Sequence, residues 1–247
     1  MKLVKWEELP EEMKTPQVRK YYEILKKKRV SLAAKRGFDI AASSAMLIML
    51  SPVFAALAVA IKADSEGPVF FRQERVTQYG RRFRIFKFRT MVNNADKLGT
   101  QVTVGNDKRI TKVGNYIRKF RLDEICQLID VFRGTMTFVG TRPEVPRYVE
   151  RYTPEMMATL LLPAGVTSQA SICYKDEAEL LESSQDADKT YVEKILPEKM
   201  KYNLRAIKDF SLFSEAMVLV DTVLAVAGVD VSKKYDRAVR RRRKADV

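Results

Sequence analysis

Asp123 and Glu124 stand side by side in Arg121-Leu122-Asp123-Glu124, two adjacent carboxylates on a strongly basic stretch. Carboxylates set among cations suit chemistry on anions, because a hard divalent ion such as Mg²⁺ is commonly held by one or two of them together with substrate phosphates. An Asp-Glu pair alone is equally what a solvated helix face carries, so the context has to separate the two readings. Lysine and arginine outnumber aspartate and glutamate by 45 to 31, a formal charge of +14, which points to phosphate-bearing partners: nucleotides, nucleic acid or anionic lipid. The chain contains no histidine, which excludes Ser-His and Cys-His nucleophiles, histidine-ligated zinc and imidazole acid-base catalysis. Cys126 and Cys173 lie in unrelated contexts, fitting a reducing compartment and a role as small apolar residues.

The elements that must position these groups begin with a polar helical lead over residues 1–33, acidic at Glu7, Glu8, Glu11 and Glu12 and basic at Lys26, Lys27, Lys28 and Arg29. Residues 40–61 follow as a run of 22 without a charge. As one straight helix that run would measure roughly 33 Å, just enough for a hydrocarbon core of about 30 Å. Pro52 sits in its middle, deletes the hydrogen bond to the Ile48 carbonyl and predicts a kink, with Ser51 able to bond a freed carbonyl. Each half is then too short to span. Cations flank both ends, Lys35 and Arg36 before and Lys62, Arg72 and Arg75 after, so a re-entrant helix and a kinked spanning anchor are both open.

Period-two patterning in Val69-Phe70-Phe71 and from Arg82 to Arg89, on either side of Gln78-Tyr79-Gly80, predicts a β-hairpin. Strand alternation puts Lys87 and Arg89 on the face of Phe83 and Ile85, where a buried or cleft-lining cation calls for an anion unless that face emerges into water. Residues 113–133 read as one helix ended by Gly134, with Leu122, Ile125, Leu128, Ile129 and Phe132 on one face and Asp123 opposite them beside Lys119, Gln127 and Asp130. Glu124 lies about 100° round from Asp123, so a cation or a substrate must organise the pair. Arg142 is offered by the turn Gly140-Thr141-Arg142-Pro143, placed to grip a phosphate with its planar fork or to stand solvated. Ser214 to Gly228 suits a packed or interfacial helix, and Arg240-Arg241-Arg242-Arg243-Lys244 a frayed basic tail drawn to anionic lipid. No internal repeat, P-loop or dinucleotide fingerprint is present.

Taken together the blocks resemble the bacterial sugar transferases, or monotopic phosphoglycosyl transferases. The blocks are Lys35-Arg36-Gly37-Phe38-Asp39, Ser51-Pro52, Gly67-Pro68-Val69-Phe70-Phe71-Arg72-Gln73, Phe86-Lys87-Phe88-Arg89-Thr90-Met91, Leu122-Asp123-Glu124, Gln127-Leu128 and Phe138-Val139-Gly140-Thr141-Arg142-Pro143-Glu144, in the family's order. The resemblance implies an α+β, mainly helical membrane-associated domain with a small β-hairpin and a re-entrant helix kinked at Ser51-Pro52. It divides the chain into the lead at 1–33, the membrane helix at 34–63, a cytosolic catalytic domain at 64–231 and the tail at 232–247. It implies transfer of a sugar 1-phosphate from a UDP-sugar to polyprenyl phosphate with release of UMP and Mg²⁺ as cofactor, starting glycoconjugate assembly on the cytosolic face of a bacterial inner membrane. Asp123 is then the nucleophile and Glu124 the metal ligand, with Lys87, Arg89, Arg142, Gln73 and Arg121 as the phosphate-binding set. Anionic lipid is the further partner, nucleic acid is not expected, and a homodimer is compatible. Two departures bear on substrate binding: Thr141 stands where the family has proline, and Pro163-Ala164-Gly165-Val166-Thr167-Ser168 lacks the arginine that opens the corresponding family block. The competing reading is a membrane-anchored basic module that binds nucleic acid or lipid without catalysis.

Overall fold

Thr15 and Pro16 make a helix start: the Thr15 hydroxyl accepts the Val18 N–H at 3.3 Å, and proline takes the first position, where its missing amide costs nothing. In the computed structural model, which describes residues 1–93, 95, 107–177, 181 and 186–243, they open α1 (Pro16–Lys26). Val18, Tyr21, Tyr22 and Leu25 recur at helical spacing and are buried with Leu3, Leu9, Met13, Leu160, Ile207 and Phe210. The segment read as a polar lead thus docks on the rest of the chain through an apolar stripe.

Two helices, α2 (Arg29–Met49) and α3 (Ser51–Asp64), are bent against each other by 59°. The Ser51 hydroxyl donates to the Ile48 carbonyl at 2.8 Å, the acceptor that Pro52 leaves without an amide. No single helix among the described residues is long and apolar enough to cross a membrane; the bent pair passes that test jointly, by length and composition. The N-terminal half of α2 is gripped from several directions. Buried Asp39 accepts the Thr137 hydroxyl at 2.8 Å and the Phe138 N–H at 3.4 Å, while Arg36 donates to the carbonyls of Val131 and Phe132 at 2.6 and 2.7 Å. Lys35, also buried, pairs with Glu215. Asp39→Ala would strand two buried donors at a cost of about 2–3 kcal/mol, so a melting temperature about 5–10 °C lower is expected in a chain of this size. A thermal scan showing a shift under about 2 °C would mean that Asp39 does not hold α2 to the sheet.

β1 (Phe70–Val76) and β2 (Arg82–Phe88) form the expected antiparallel hairpin, in register Phe71 to Lys87 and Gln73 to Ile85. Its turn, Gln78–Gly80, takes left-handed backbone at Tyr79 and Gly80. The continuous helix expected over 113–133 is broken. α4 (Lys112–Lys119) ends, Arg121 turns left-handed at φ 52°, Leu122–Glu124 makes one 3-10 turn, and α5 (Gln127–Arg133) then runs to Gly134, the stop the sequence predicts. The break rotates the wheel, so Gln127 and Asp130, expected beside Asp123 on an outer face, are buried. Asp130 instead accepts the Phe86 N–H at 2.9 Å and so fastens α5 to the hairpin.

A second sheet, unforeseen in the sequence, pairs β3 (Met136–Val139) with β4 (Ala164–Thr167) in parallel. The chains leaving it pass so closely that a Cβ on Gly165 would lie 2.2 Å from the Gly140 backbone, which leaves room for glycine alone. The short helices α6 (Pro146–Val149), α7 (Gln169–Cys173) and α8 (Ala187–Thr190) and a π-helical turn at Tyr191–Ile195 lead into α9 (Leu196–Lys208). α10 (Leu212–Val226) is the apolar helix expected near the C-terminus; it buries Val218 and Asp221 and leaves Phe213, Val223 and Val226 exposed. The stretch expected as a frayed tail continues as α11 (Ser232–Arg243), packed through Tyr235, whose hydroxyl donates to Asp221; residues 244–247 lie outside the described residues.

Candidate active site

The 3-10 turn presents Asp123 and Glu124 beneath two separate elements. From β2, Lys87 donates to Glu124 Oε1 at 2.9 Å. From the loop after β3, Arg142 lays its fork across the same carboxylate, Nη1 to Oε2 at 3.3 Å and Nη2 to Oε1. Burial works against the Glu124 charge, but Arg142 and Lys87 overcome it and hold the carboxyl well below the usual carboxylate range. Asp123 has the opposite environment. Burial, then the neighbouring Glu124 charge, push its carboxyl up against the weaker pull of Lys87 and Arg118. It has no ion pair among the described residues. Two adjacent carboxyls are driven apart in character, one locked as an ion-paired anion and one left unpaired, the pattern that separates roles in carboxylate pairs.

Of the sequence-predicted cations, the fold brings Lys87 and Arg142 together with the dyad. Arg89 is placed elsewhere. β2 ends at Phe88, and the Arg89 guanidinium turns to the C-terminal end of α3, donating to the carbonyls of Ile61 and Ser65 at 3.3 and 2.6 Å and to the Ser65 hydroxyl at 3.0 Å. It caps a helix, as cations at helix C-termini do, instead of joining Lys87 on Glu124. Gln73 also serves the framework: its Oε1 accepts Arg75 at 2.6 Å, and Arg75 in turn donates to the Pro143 carbonyl at 3.1 Å, behind Arg142. Arg121 is exposed and contributes its left-handed backbone. The sequence reading missed Arg118, whose charge reaches Asp123 because the chain folds back at Arg121. It missed Glu144, Tyr191 and Lys199 as well, which meet behind the Arg142 loop; the sequence signal available was Glu144 itself, next to Arg142-Pro143.

The thiols stay out of the chemistry. Cys126 is buried with its Sγ on the Asp123 carbonyl at 3.3 Å, and burial pushes its thiol up to about 12.

The bacterial sugar transferase family model matches residues 30–228, a span that includes the dyad, both of its cations and the bent helix pair. The chain belongs to the bacterial sugar transferase family. This sugar transferase chain is 35% identical over 195 residues to the UDP-N-acetylgalactosamine-undecaprenyl-phosphate N-acetylgalactosaminephosphotransferase of Aeromonas hydrophila, covering 78% of this chain and 43% of that protein. It is 34% identical to the UDP-glucose:undecaprenyl-phosphate glucose-1-phosphate transferase of Escherichia coli (strain K12), again over 78% of this chain and 40% of the relative. The match to the exopolysaccharide production protein ExoY of Rhizobium meliloti (strain 1021) is 29% identical and covers 85% of that relative. The sugar transferase chain therefore spans less than half the length of the first two and most of the third. Residues 1–29, including α1, lie outside the family match.

Proposed function

We propose that this sugar transferase moves a sugar 1-phosphate from a UDP-sugar to polyprenyl phosphate, undecaprenyl phosphate by analogy with the relatives, and releases UMP. The observation that carries the reading is the division of labour in the dyad: Glu124 is bridged by Lys87 and Arg142, and Asp123 beside it is unpaired. An Asp123 oxygen attacks the phosphorus that bears the sugar, the bond to the UMP oxygen breaks, and UMP leaves with the electron pair. A phosphate oxygen of the polyprenyl carrier then attacks the same phosphorus, and the Asp123 carboxylate is regenerated. Lys87 and Arg142 lie where the diphosphate charge must be matched, and Arg142 offers the fork suited to a phosphate.

Among the described residues no group of three or more His, Cys, Asp or Glu side chains is placed to hold a metal. Two adjacent carboxylates nevertheless fit a Mg²⁺ that completes its shell with phosphate oxygens and water, and Glu124 would hold it. Bound there, Mg²⁺ would neutralise charge on the diphosphate.

The same reading puts the protein on the cytosolic face of a bacterial inner membrane, with α2 and α3 entering and leaving on one side and the basic flanks meeting anionic lipid. Their apolar parts, about 15 and 17 Å long, are each short of the roughly 30 Å core. Labelling of Ala33→Cys and Glu66→Cys in a background without Cys126 and Cys173 should show both positions reacting from the cytosolic side. Opposite accessibility would sink the re-entrant arrangement. The reaction itself is tested by UMP release from UDP-glucose and UDP-N-acetylgalactosamine, with and without Mg²⁺ and undecaprenyl phosphate. Release that needs both supports the transfer; no release under any of these conditions, with salt-sensitive nucleic-acid binding, would instead favour a non-catalytic basic module.

A further inference from the structure

Behind Arg142 lies a set of buried polar groups for which the reaction above has no use. Glu144, Tyr191 and Lys199 are 7, 5 and 5% exposed. The Tyr191 hydroxyl donates to Glu144 Oε1 at 2.5 Å, Lys199 Nζ donates to the same hydroxyl at 3.3 Å and stands 3.8 Å from Glu144, and it is held in turn by Glu177 at 2.8 Å. Charges are taken this far out of water only when they are paired and hydrogen-bonded. Tyr191 reaches Glu144 because it opens the π-helical turn, a wider coil that occurs mostly as single turns and often at functional sites. On the opposite side, the Val76 N–H donates to the Glu144 carbonyl at 2.9 Å and Arg75 to the Pro143 carbonyl at 3.1 Å. The loop bearing Arg142 is therefore clamped by the hairpin on one flank and by the π-turn and α9 on the other.

We propose that Glu144, Tyr191 and Lys199 form a positioning network that fixes the Arg142 guanidinium against Glu124, so that residues from the C-terminal third of the chain tune the phosphate grip of the dyad. This rests on the transfer reading for its kinetic consequence and on geometry alone for its structural one. Arg142 contacts Glu124, and it also feels the charges of Glu144, two residues along its own loop, and of Glu177. Lys199 offsets part of the charge of the second pair. Without it, buried Glu144 and half-buried Glu177 would be under-compensated, and Arg142 would be drawn toward them and away from Glu124. The backbone clamp holds the loop, while Lys199 decides which carboxylate the guanidinium serves.

The experiment uses the full chain in nanodiscs. The Arg142 Nε–H resonance of ¹⁵N-arginine-labelled protein, assigned by its loss in Arg142→Gln, should shift in Tyr191→Phe and in Lys199→Met and return toward its wild-type position in the charge-balanced Glu144→Gln/Lys199→Met double variant. An unmoved resonance in Tyr191→Phe and Lys199→Met would overturn the proposal, and this arm reads the network whether or not the protein turns over a UDP-sugar. Kinetically, with UDP-glucose or UDP-N-acetylgalactosamine as donor, kcat/KM should fall about tenfold in Tyr191→Phe and on the order of 100-fold in Lys199→Met, with the double variant recovering most of the loss. In an Arg142→Gln background Lys199→Met should cost nothing further, because it acts through the missing group. Equal losses in the two backgrounds would make Lys199 a merely structural residue and overturn the positioning role. Should Lys199→Met fail to fold, Tyr191→Phe in the same two backgrounds decides the question. A wild type that releases no UMP would remove the proposed reaction and leave the resonance to judge the network.

Discussion

Asp123→Asn is expected to fold and insert as the wild type does and to lose turnover by on the order of 10⁴-fold, the scale typical of removing a covalent nucleophile. Asparagine keeps the size and most of the hydrogen bonding of aspartate but has no charge with which to attack phosphorus. The environment of Asp123 adds a second, opposite consequence. Its carboxyl is pushed up by burial and by the Glu124 charge. A group whose folded pKa is raised favours folding while it is protonated and loses that contribution as the pH rises through the folded value. Once ionised, Asp123 is thus a destabilising element, and Asn should leave the melting temperature equal to or above that of the wild type. A variant that is inactive because it is unfolded would not test the role, whereas a stable inactive one would. Near-normal turnover in Asp123→Asn would remove the nucleophile assignment.

Glu124→Gln should fail in a different way. Its carboxyl is held below the ordinary range, so its contribution to stability is present above the unfolded value and lost as the pH falls. Gln keeps one acceptor for Lys87 and Arg142 but removes the charge that both compensate, leaving two cations, with side chains 21 and 37% exposed, against a neutral amide. Because solvent reaches both cations, the cost is about 1–2 kcal/mol, less than the 3–5 kcal/mol typical of a fully buried pair. A melting temperature lower by about 2–6 °C is expected, together with a raised Mg²⁺ requirement, since an amide is a poorer ligand for a hard cation. The two single variants should not add in activity, as they disable one unit. A Glu124→Gln protein with wild-type stability and wild-type Mg²⁺ dependence would separate Glu124 from both tasks.

Where the sequence predicted structure well, a single residue carried a local physical rule. Pro52 lacks an amide, so the kink and the rescue of the Ile48 carbonyl by Ser51 follow from the chain itself. Gly134 stops α5 by taking the left-handed conformation that glycine adopts without strain, and the period-two runs around Gln78-Tyr79-Gly80 define the hairpin. The dyad and its two cations were legible because Lys87, Asp123, Glu124 and Arg142 are charged groups set in recognisable local patterns.

The features that stayed hidden depend on distant contacts. Nothing local requires Arg121 to be left-handed, because the apolar spacing of Leu122, Ile125, Leu128 and Ile129 suits an unbroken helix equally well. β3 and β4 are four residues each and pair across a long separation, too short to show a period. Arg89 obeys the alternation of its strand only as far as the strand lasts. Glu144 and Tyr191 are 47 positions apart and meet only once the π-turn has formed. The docking of α1, by contrast, was written in Val18, Tyr21, Tyr22 and Leu25, and the charges around them masked it.

The covalent role of Asp123 is tested most directly by mass spectrometry of the intact protein and its peptides after exposure to a UDP-sugar and Mg²⁺ without polyprenyl phosphate. A single sugar-phosphate adduct on the peptide that carries Asp123, absent from Asp123→Asn and discharged when undecaprenyl phosphate is added, is the predicted result. An adduct on another residue, or full turnover with no adduct under any condition, would contradict it.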